Sequence, residues 1–141
     1  MEVDPAGYNT FLVEKREQVA IITLNRPEKL NAVNMEMRQE FLDVLKHLET
    51  DDEVKVVIVT GAGDSFCAGA DISEFETGSE FPKKKELANI VRYIYEFEKP
   101  IIGAINGVSA GAGSQWLLAF DLNIASEEAK LGWPATKLGI L

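Results

Sequence analysis

Apolar positions along the chain change period in a regular order. Residues 10–15 and 19–25 are two strand candidates on either side of the charged turn Lys15-Arg16-Glu17-Gln18, which predicts a hairpin. Asn25-Arg26-Pro27-Glu28-Lys29-Leu30-Asn31-Ala32 reads as a loop, because Pro27 cannot donate to a ladder and holds Arg26 extended. Asn34 is placed to cap a helix whose apolar stripe is Met37, Phe41, Val44, Leu45 and Leu48, at i, i+4, i+7, i+8 and i+11. Residues 54–60 (VKVVIVT) form a nearly continuous β-branched run, as in a parallel strand buried on both faces. After a polar break at 78–81, Pro82 suits the first position of a helix, with Leu87, Ile90, Val91 and Ile94 as its buried face. Residues 101–105 predict another strand and 114–120 a buried helix. Residues 121–126 predict a strand with Leu122 and Ile124 turned inward. Helices recurring between strands predict an α/β fold with parallel pairing. Residues 1–9, with Pro5 and Gly7 and no periodicity, read as a loose N-terminus, and 10–141 as one core.

Chemistry enters where the strand at 101–105 stops. Asn106-Gly107 and the small residues Val108-Ser109-Ala110-Gly111-Ala112-Gly113 lead into the helix. A strand, a glycine-rich turn and a helix start aim free N–H groups, with the positive end of the helix dipole, at a phosphate or an oxyanion. Nucleotide fingerprints fail here. No Lys-Ser/Thr pair follows the glycines, and Gly111-x-Gly113 is followed by Trp116 where a third glycine is required. On its own the stretch also fits a tight turn that lets a helix pack closely on a sheet. A second small-residue loop, Ala68-Gly69-Ala70-Asp71-Ile72, also follows a buried strand and changes that balance. Two such loops at neighbouring strand ends can give one N–H each to the same atom. A thioester carbonyl becoming an enolate needs such a pair.

Composition narrows the classes. The chain has 141 residues, 46% hydrophobic and 26% charged, with a net charge of −9. That acidity excludes general nucleic-acid binding, which needs clustered cations. There is no apolar run of membrane-spanning length and no signal-peptide pattern, so the expected setting is cytoplasmic. Cys67 is the only cysteine and His47 the only histidine, which rules out an internal disulfide and a Cys/His zinc site. His47 falls on an amphipathic helix and reads as a surface residue. No metal is expected.

The loop Asn25-Arg26-Pro27-Glu28-Lys29-Leu30-Asn31-Ala32, then Val59-Thr60-Gly61 through Phe66-Cys67-Ala68-Gly69-Ala70-Asp71-Ile72, then Lys99-Pro100, Asn106-Gly107 and the glycine-rich helix start resemble the enoyl-CoA hydratase/isomerase (crotonase) family. The resemblance covers residues 10–141. It implies a spiral of repeated β-β-α units, usually followed by a C-terminal helical region that builds trimers. The chain resembles only the front portion, and its apolar ending, Lys137-Leu138-Gly139-Ile140-Leu141, points to truncation before that region. The resemblance further implies an acyl-CoA thioester as substrate, with no cofactor beyond the coenzyme A it carries. Neither nucleic acid nor membrane is an expected partner, and a homotrimer or dimer of trimers is implied for the full-length form. Position by position, Ala70 and Ala112 match the two oxyanion-hole residues. Ala68, Ala70 and Ile72 match backbone that meets the CoA adenine, with Asn31 and Ala32 on the same side. Asp71 and Ser73 continue the acyl-CoA-binding segment, unless Asp71 only caps the helix after it. Lys83, Lys84 and Lys85 either meet CoA phosphates or form a solvated helix start. Trp133 either lines the acyl pocket or belongs to the core.

Two departures matter. Hydratases of this family use two glutamates, whose places are taken here by Gln115 and Ala135. Neither can titrate near neutral pH. Gln115 can position a water or a carbonyl, or be a polar residue hydrogen-bonded in a helix start. The resemblance therefore implies enolate chemistry, with double-bond isomerisation a better fit than hydration. The alternative is a catalytically silent acyl-CoA-binding or assembly module.

Overall fold

The computed structural model describes residues 2–3, 7–76, 84–134 and 137. The break at 78–81, Pro82, Lys83, Ala135 and the apolar end at 138–141 lie outside the described residues, as do the side chains of Lys84, Lys85 and Leu87.

Strands β2 (Phe11–Arg16) and β3 (Val19–Leu24) form the expected hairpin, paired from Phe11↔Leu24 to Arg16↔Val19. Within the segment expected to be loose, β1 (Glu2–Val3) pairs antiparallel with β2. The loop after β3 makes a short 3-10 turn at Pro27–Lys29. Helix α1 (Met35–Thr50) then begins where Asn34 accepts the N–H of Met37 at 2.8 Å. Its buried face includes Met37, Phe41, Val44, Leu45 and Leu48, while His47 is exposed. At the far end of α1, the Lys99 amine donates to the carbonyls of Leu48 and Asp51, which satisfies orphan acceptors and opposes the negative end of the dipole.

The remaining elements are β4 (Val56–Gly61), β5 (Ser65–Cys67), α2 (Ser73–Glu76), α3 (Lys84–Glu96), β6 (Ile101–Ile105), β7 (Val108–Ala110), α4 (Ala112–Ala119), β8 (Leu122–Ala125) and β9 (Leu131–Gly132). Strands β1-β2-β3-β4-β6-β8 form one sheet, parallel from β3 onward. A second, wholly parallel sheet has the order β5-β7-β9. Successive strand pairs β4–β5, β6–β7 and β8–β9 each place their first member in the large sheet and their second in the small one. Helices follow the first two pairs. This is the expected repetition of β-β-α units.

Periodicity alone misses β5, β7 and β9. They have two or three residues each, too short to show a period of two, and β7 lies inside the stretch that reads as a glycine-rich turn. Two further expectations are corrected. Strand β4 alternates, with Val57 and Val59 fully buried and Val56 and Ile58 only half-buried, so it is not covered equally on both faces. Leu122 and Ile124 point outward, 63% and 70% exposed, because β8 is an edge strand with no described element over that face. Helix α4 also leaves Leu118 exposed. It is anchored on its other side, where Trp116 packs on Phe41 at 4.6 Å between ring centroids and Phe41 stacks on Phe11 at 5.3 Å.

Candidate active site

Strands β5 and β7 run side by side in parallel, with Ser65 opposite Val108 and Cys67 opposite Ser109. The loops leaving their C-terminal ends therefore emerge together: residues 68–72 from β5, and Gly111 into α4 from β7. The approach requires glycine. Gly69 and Gly111 have φ of +108° and +51°, and a Cβ built on Gly69 would lie 3.1 Å from the Ala110 carbonyl oxygen. The two small-residue loops singled out in the sequence thus touch backbone to backbone.

Among the described residues each loop leaves amides without a backbone acceptor, that of Ala70 in one loop and that of Ala112 in the other among them. Ala70 forms a parallel bridge with Val33, but its neighbours make the bonds: Val33 N–H donates to Gly69 O at 2.7 Å, and Asp71 N–H to Val33 O at 3.0 Å. In that geometry the Ala70 N–H faces away from Val33. Ala112 is the first residue of α4, so its N–H has no acceptor within the helix, whose first turn closes with Gln115 N–H on Gly111 O at 3.0 Å. Among the described residues neither N–H donates to a protein acceptor. Both residues are half-buried. Two free amides on touching loops, one of them at a helix N-terminus, can stabilise an anionic oxygen. Gln115 lies one turn into α4, half-buried, and its side chain has no hydrogen-bond partner among the described residues.

Several other expected site residues have polar groups engaged within the protein. The Asp71 carboxylate accepts the Ser73 hydroxyl at 2.6 Å and its N–H at 3.1 Å, and pairs with the Arg26 guanidinium at 2.9 Å. The Ser73 hydroxyl first, and then Arg26, hold this carboxyl below its usual range against the cost of burial. Asp71 therefore caps the start of α2, and its charge is already matched. Asn31 is fully buried. Its amide oxygen accepts Arg26 N–H at 2.9 Å, and its amide nitrogen donates to Ala62 O at 2.9 Å and Ser65 O at 3.0 Å. Its side chain is therefore bonded inside the protein. Ala68 N–H is used by Leu30 O at 3.0 Å, and the Ala32 carbonyl accepts the Arg26 guanidinium. Ile72 is 70% exposed, Ser73 is exposed, and Trp133 is 39% exposed just after β9.

Three features of the site are not legible in the sequence. Asn106 reaches across from the β6–β7 turn, donating to Gly63 O at 2.9 Å and Ser65 O at 3.2 Å while accepting Gly61 N–H at 3.1 Å. Asn31 and Asn106, 75 positions apart, thus meet on one carbonyl. Their occurrence at turns was a usable signal, but their shared target was not. Arg26 gives no local sign of its partner 45 residues on. Cys67 is fully buried beneath both loops, with its thiol pushed up to about 11 by burial.

A family model described as enoyl-CoA hydratase/isomerase matches residues 14–141. The chain belongs to the enoyl-CoA hydratase/isomerase family. It is 42% identical over 136 residues to a short-chain-enoyl-CoA hydratase of Clostridium acetobutylicum, covering 94% of this chain and 52% of that one. To a 1,2-epoxyphenylacetyl-CoA isomerase of Escherichia coli it is 38% identical, covering 87% and 50%. Among solved structures, an enoyl-CoA hydratase/isomerase from Xanthobacter autotrophicus superposes with a TM-score of 0.89 at 35% identity, over 94% of this chain and 52% of the other. An enoyl-CoA hydratase from Bacillus anthracis gives 0.87 at 32% identity. The fold is therefore crotonase-like, as the motif resemblance implies. The chain spans about half the length of these enoyl-CoA hydratase/isomerase family members. No helix among the described residues is long and apolar enough to cross a membrane.

Proposed function

We propose that this protein binds an acyl- or enoyl-CoA and stabilises the enolate of its thioester between Ala70 N–H and Ala112 N–H. The observation that carries this reading is the pair of uncommitted amides on loops that touch at Gly69 and Gly111. As a proton leaves the carbon next to the carbonyl, charge accumulates on the thioester oxygen. Preorganised donors at that point are worth about 3–4 kcal/mol each in comparable sites. The helix dipole of α4 adds to Ala112 and not to Ala70, so the two donors are unequal. The backbone of Ala68, Ala70 and Ile72 would meet the adenine of the CoA, and Trp133 would line the acyl pocket. Relatives named as a hydratase and as an isomerase both carry CoA substrates in their names, which supports the substrate class.

The reaction favoured is double-bond isomerisation. Gln115 stands where the resemblance expects a glutamate, and an amide does not accept a proton near neutral pH. It can orient a bound water or the substrate carbonyl. The Asp71 carboxylate is engaged by Ser73 and Arg26, which leaves proton transfer to another group. No cofactor beyond the coenzyme A of the substrate is required, a cytoplasmic setting suits such a substrate, and the full-length form is proposed as a homotrimer or dimer of trimers. Gln115 also favours a second reading, in which the site binds acyl-CoA without turning it over.

A side-by-side assay of 2-enoyl-CoA and 3-enoyl-CoA on the full-length protein, with calorimetry using an acyl-CoA, tests these statements. Isomerisation without hydration is the expected result. Hydration at the rate of a glutamate-bearing hydratase contradicts the role given to Gln115. Binding without turnover favours the silent module, and no binding by a folded sample overturns both readings.

A further inference from the structure

Strands β5 and β7 carry the two small-residue loops at their C-terminal ends, and the bonds that fix one strand against the other gather at their N-terminal ends. Each strand has three residues. Their pairing is irregular: Ser65 stands opposite Val108 and Cys67 opposite Ser109, so two steps of β5 match one step of β7. A bulge of this kind disrupts the ladder locally, and so short a ladder specifies its register weakly. The strands nevertheless meet backbone to backbone at both ends. At the C-terminal ends Gly69 meets Ala110. Before the N-terminal ends Gly107 meets the turn into β5, where a Cβ on this glycine would fall 2.0 Å from the Asp64 carbonyl oxygen and 3.1 Å from Ser65 Cα.

Asn106 sits beside that second contact, one residue before Gly107. Its amide nitrogen donates to Gly63 O at 2.9 Å and Ser65 O at 3.2 Å, and its amide oxygen accepts Gly61 N–H at 3.1 Å. One side chain thus ties the approach to β7 to the turn that opens β5 and to the end of β4. Asn31 grips the same Ser65 carbonyl, but from a different place. Its segment, 30–33, bonds to Ala62, Ser65, Ala68, Gly69 and Asp71, which all lie on the arm that carries Ala70. Asn31 holds that arm together, whereas Asn106 holds it against the arm that carries Ala112.

We propose that Asn106 is a positioning residue for the oxyanion site: its amide pins the start of β5 to the start of β7 and so sets the spacing of the Ala70 and Ala112 N–H groups at the other end. The proposal rests on the oxyanion reading given above. Three residues at about 3.3 Å each make a strand roughly 10 Å long, so a slip at the pinned end reaches the loops with little slack. Two donors aimed at one oxygen tolerate little change in spacing, because a hydrogen bond weakens steeply as it bends.

The test uses acetoacetyl-CoA, whose C2 proton is lost to water to give an enolate with its own near-ultraviolet absorption. The pH midpoint of enolate formation is measured for the free compound and for the compound bound to wild type, Asn106→Ala, Asn106→Asp and Tyr93→Phe. Circular dichroism sets a temperature at which the variants are folded. Tyr93→Phe removes a 2.6 Å hydrogen bond to Glu49, at the end of α1 away from the loops, and controls for lost stability alone. Wild type is expected to lower the midpoint relative to the free compound. Asn106→Ala and Asn106→Asp are expected to raise the bound midpoint by about one pH unit, a tenfold loss of enolate stabilisation, and Tyr93→Phe to leave it at the wild-type value. Asn106→Asp keeps the acceptor for Gly61 N–H but sets a carboxylate against two carbonyl oxygens, so it separates the bonds to the β5 turn from the bond to β4. It also decides the matter if Asn106→Ala fails to fold. A wild-type midpoint in either folded Asn106 variant, or a Tyr93→Phe midpoint shifted as far as theirs, overturns the role of Asn106 while leaving the oxyanion site intact. A wild-type protein that binds the probe without lowering its midpoint overturns the oxyanion reading itself.

Discussion

Replacing Asn31 by alanine discriminates between a residue that contacts ligand and one that holds the scaffold. The Asn31 side chain is fully buried and makes three hydrogen bonds, to Arg26 N, Ala62 O and Ser65 O. Ser65 O retains the Asn106 amide after truncation, so its loss is partly covered. Arg26 N–H and Ala62 O are left without that partner, and one buried unsatisfied group costs about 1–3 kcal/mol. The backbone adds a second cost. Asn31 has φ of +56°, a left-handed conformation that asparagine tolerates and that costs an alanine about 1–2 kcal/mol. With two such groups and the backbone term, the sum for Asn31→Ala is about 3–8 kcal/mol. Asn31→Gly loses the same amide but not the conformational penalty, so it should be the milder change by about 1 kcal/mol. That order reverses the usual ranking of glycine below alanine. Urea unfolding of the three proteins, with slopes compared to exclude a change in the denatured state, provides the measurement. An alanine variant destabilised by less than about 1 kcal/mol, or a glycine variant worse than the alanine one, refutes the scaffold role.

Further outcomes follow from the site. Gln115→Glu supplies a carboxylate at the head of α4 and should raise hydration of a 2-enoyl-CoA on the order of a hundredfold over wild type, read by loss of the conjugated enoyl absorbance; an unchanged or lower rate counts against the placement of Gln115 beside the substrate. Asp71 has its folded pKa held below its ordinary 3.8, so its stabilising contribution is present above that pH and is lost as pH falls through the folded value. Asp71→Asn should accordingly flatten the acid limb of the stability profile below about pH 4, and an unaltered limb refutes the assignment. Cys67 is fully buried with its thiol raised to about 11, so a thiol reagent at pH 8 should modify it only at the rate of unfolding, and rapid labelling of native protein refutes that burial.

Most of the large sheet was legible in the order of residues. The hairpin follows from two strand-like runs on either side of a charged turn. Helix α1 follows from a 3.6-residue stripe behind an N-capping asparagine, and β6 and α4 follow from an apolar run broken at Asn106-Gly107. These features are local, and propensity and period act locally. The small sheet was not legible. Strands β5, β7 and β9 exist because the spiral lays Ser65–Cys67, Val108–Ala110 and Leu131–Gly132 beside one another, and a parallel pair needs partners distant in sequence. The outward facing of Leu122 and Ile124 is likewise not legible: alternation identifies a strand but does not say which face is covered.

The sequence by itself determined that two small-residue loops follow strands, that one of them opens a helix, and that no titratable group stands at Gln115 or Ala135. Only the tertiary structure decided that the loops touch at Gly69 and Gly111, and that Asn31, Asn106, Arg26 and Asp71 form the frame around them. It also decided that the amides of Ala70 and Ala112 have no protein acceptor among the described residues. Residue types set what each position can donate or accept. Which of those capacities is already spent depends on neighbours that the chain brings back from 31 to 45 positions away, and that is a property of packing.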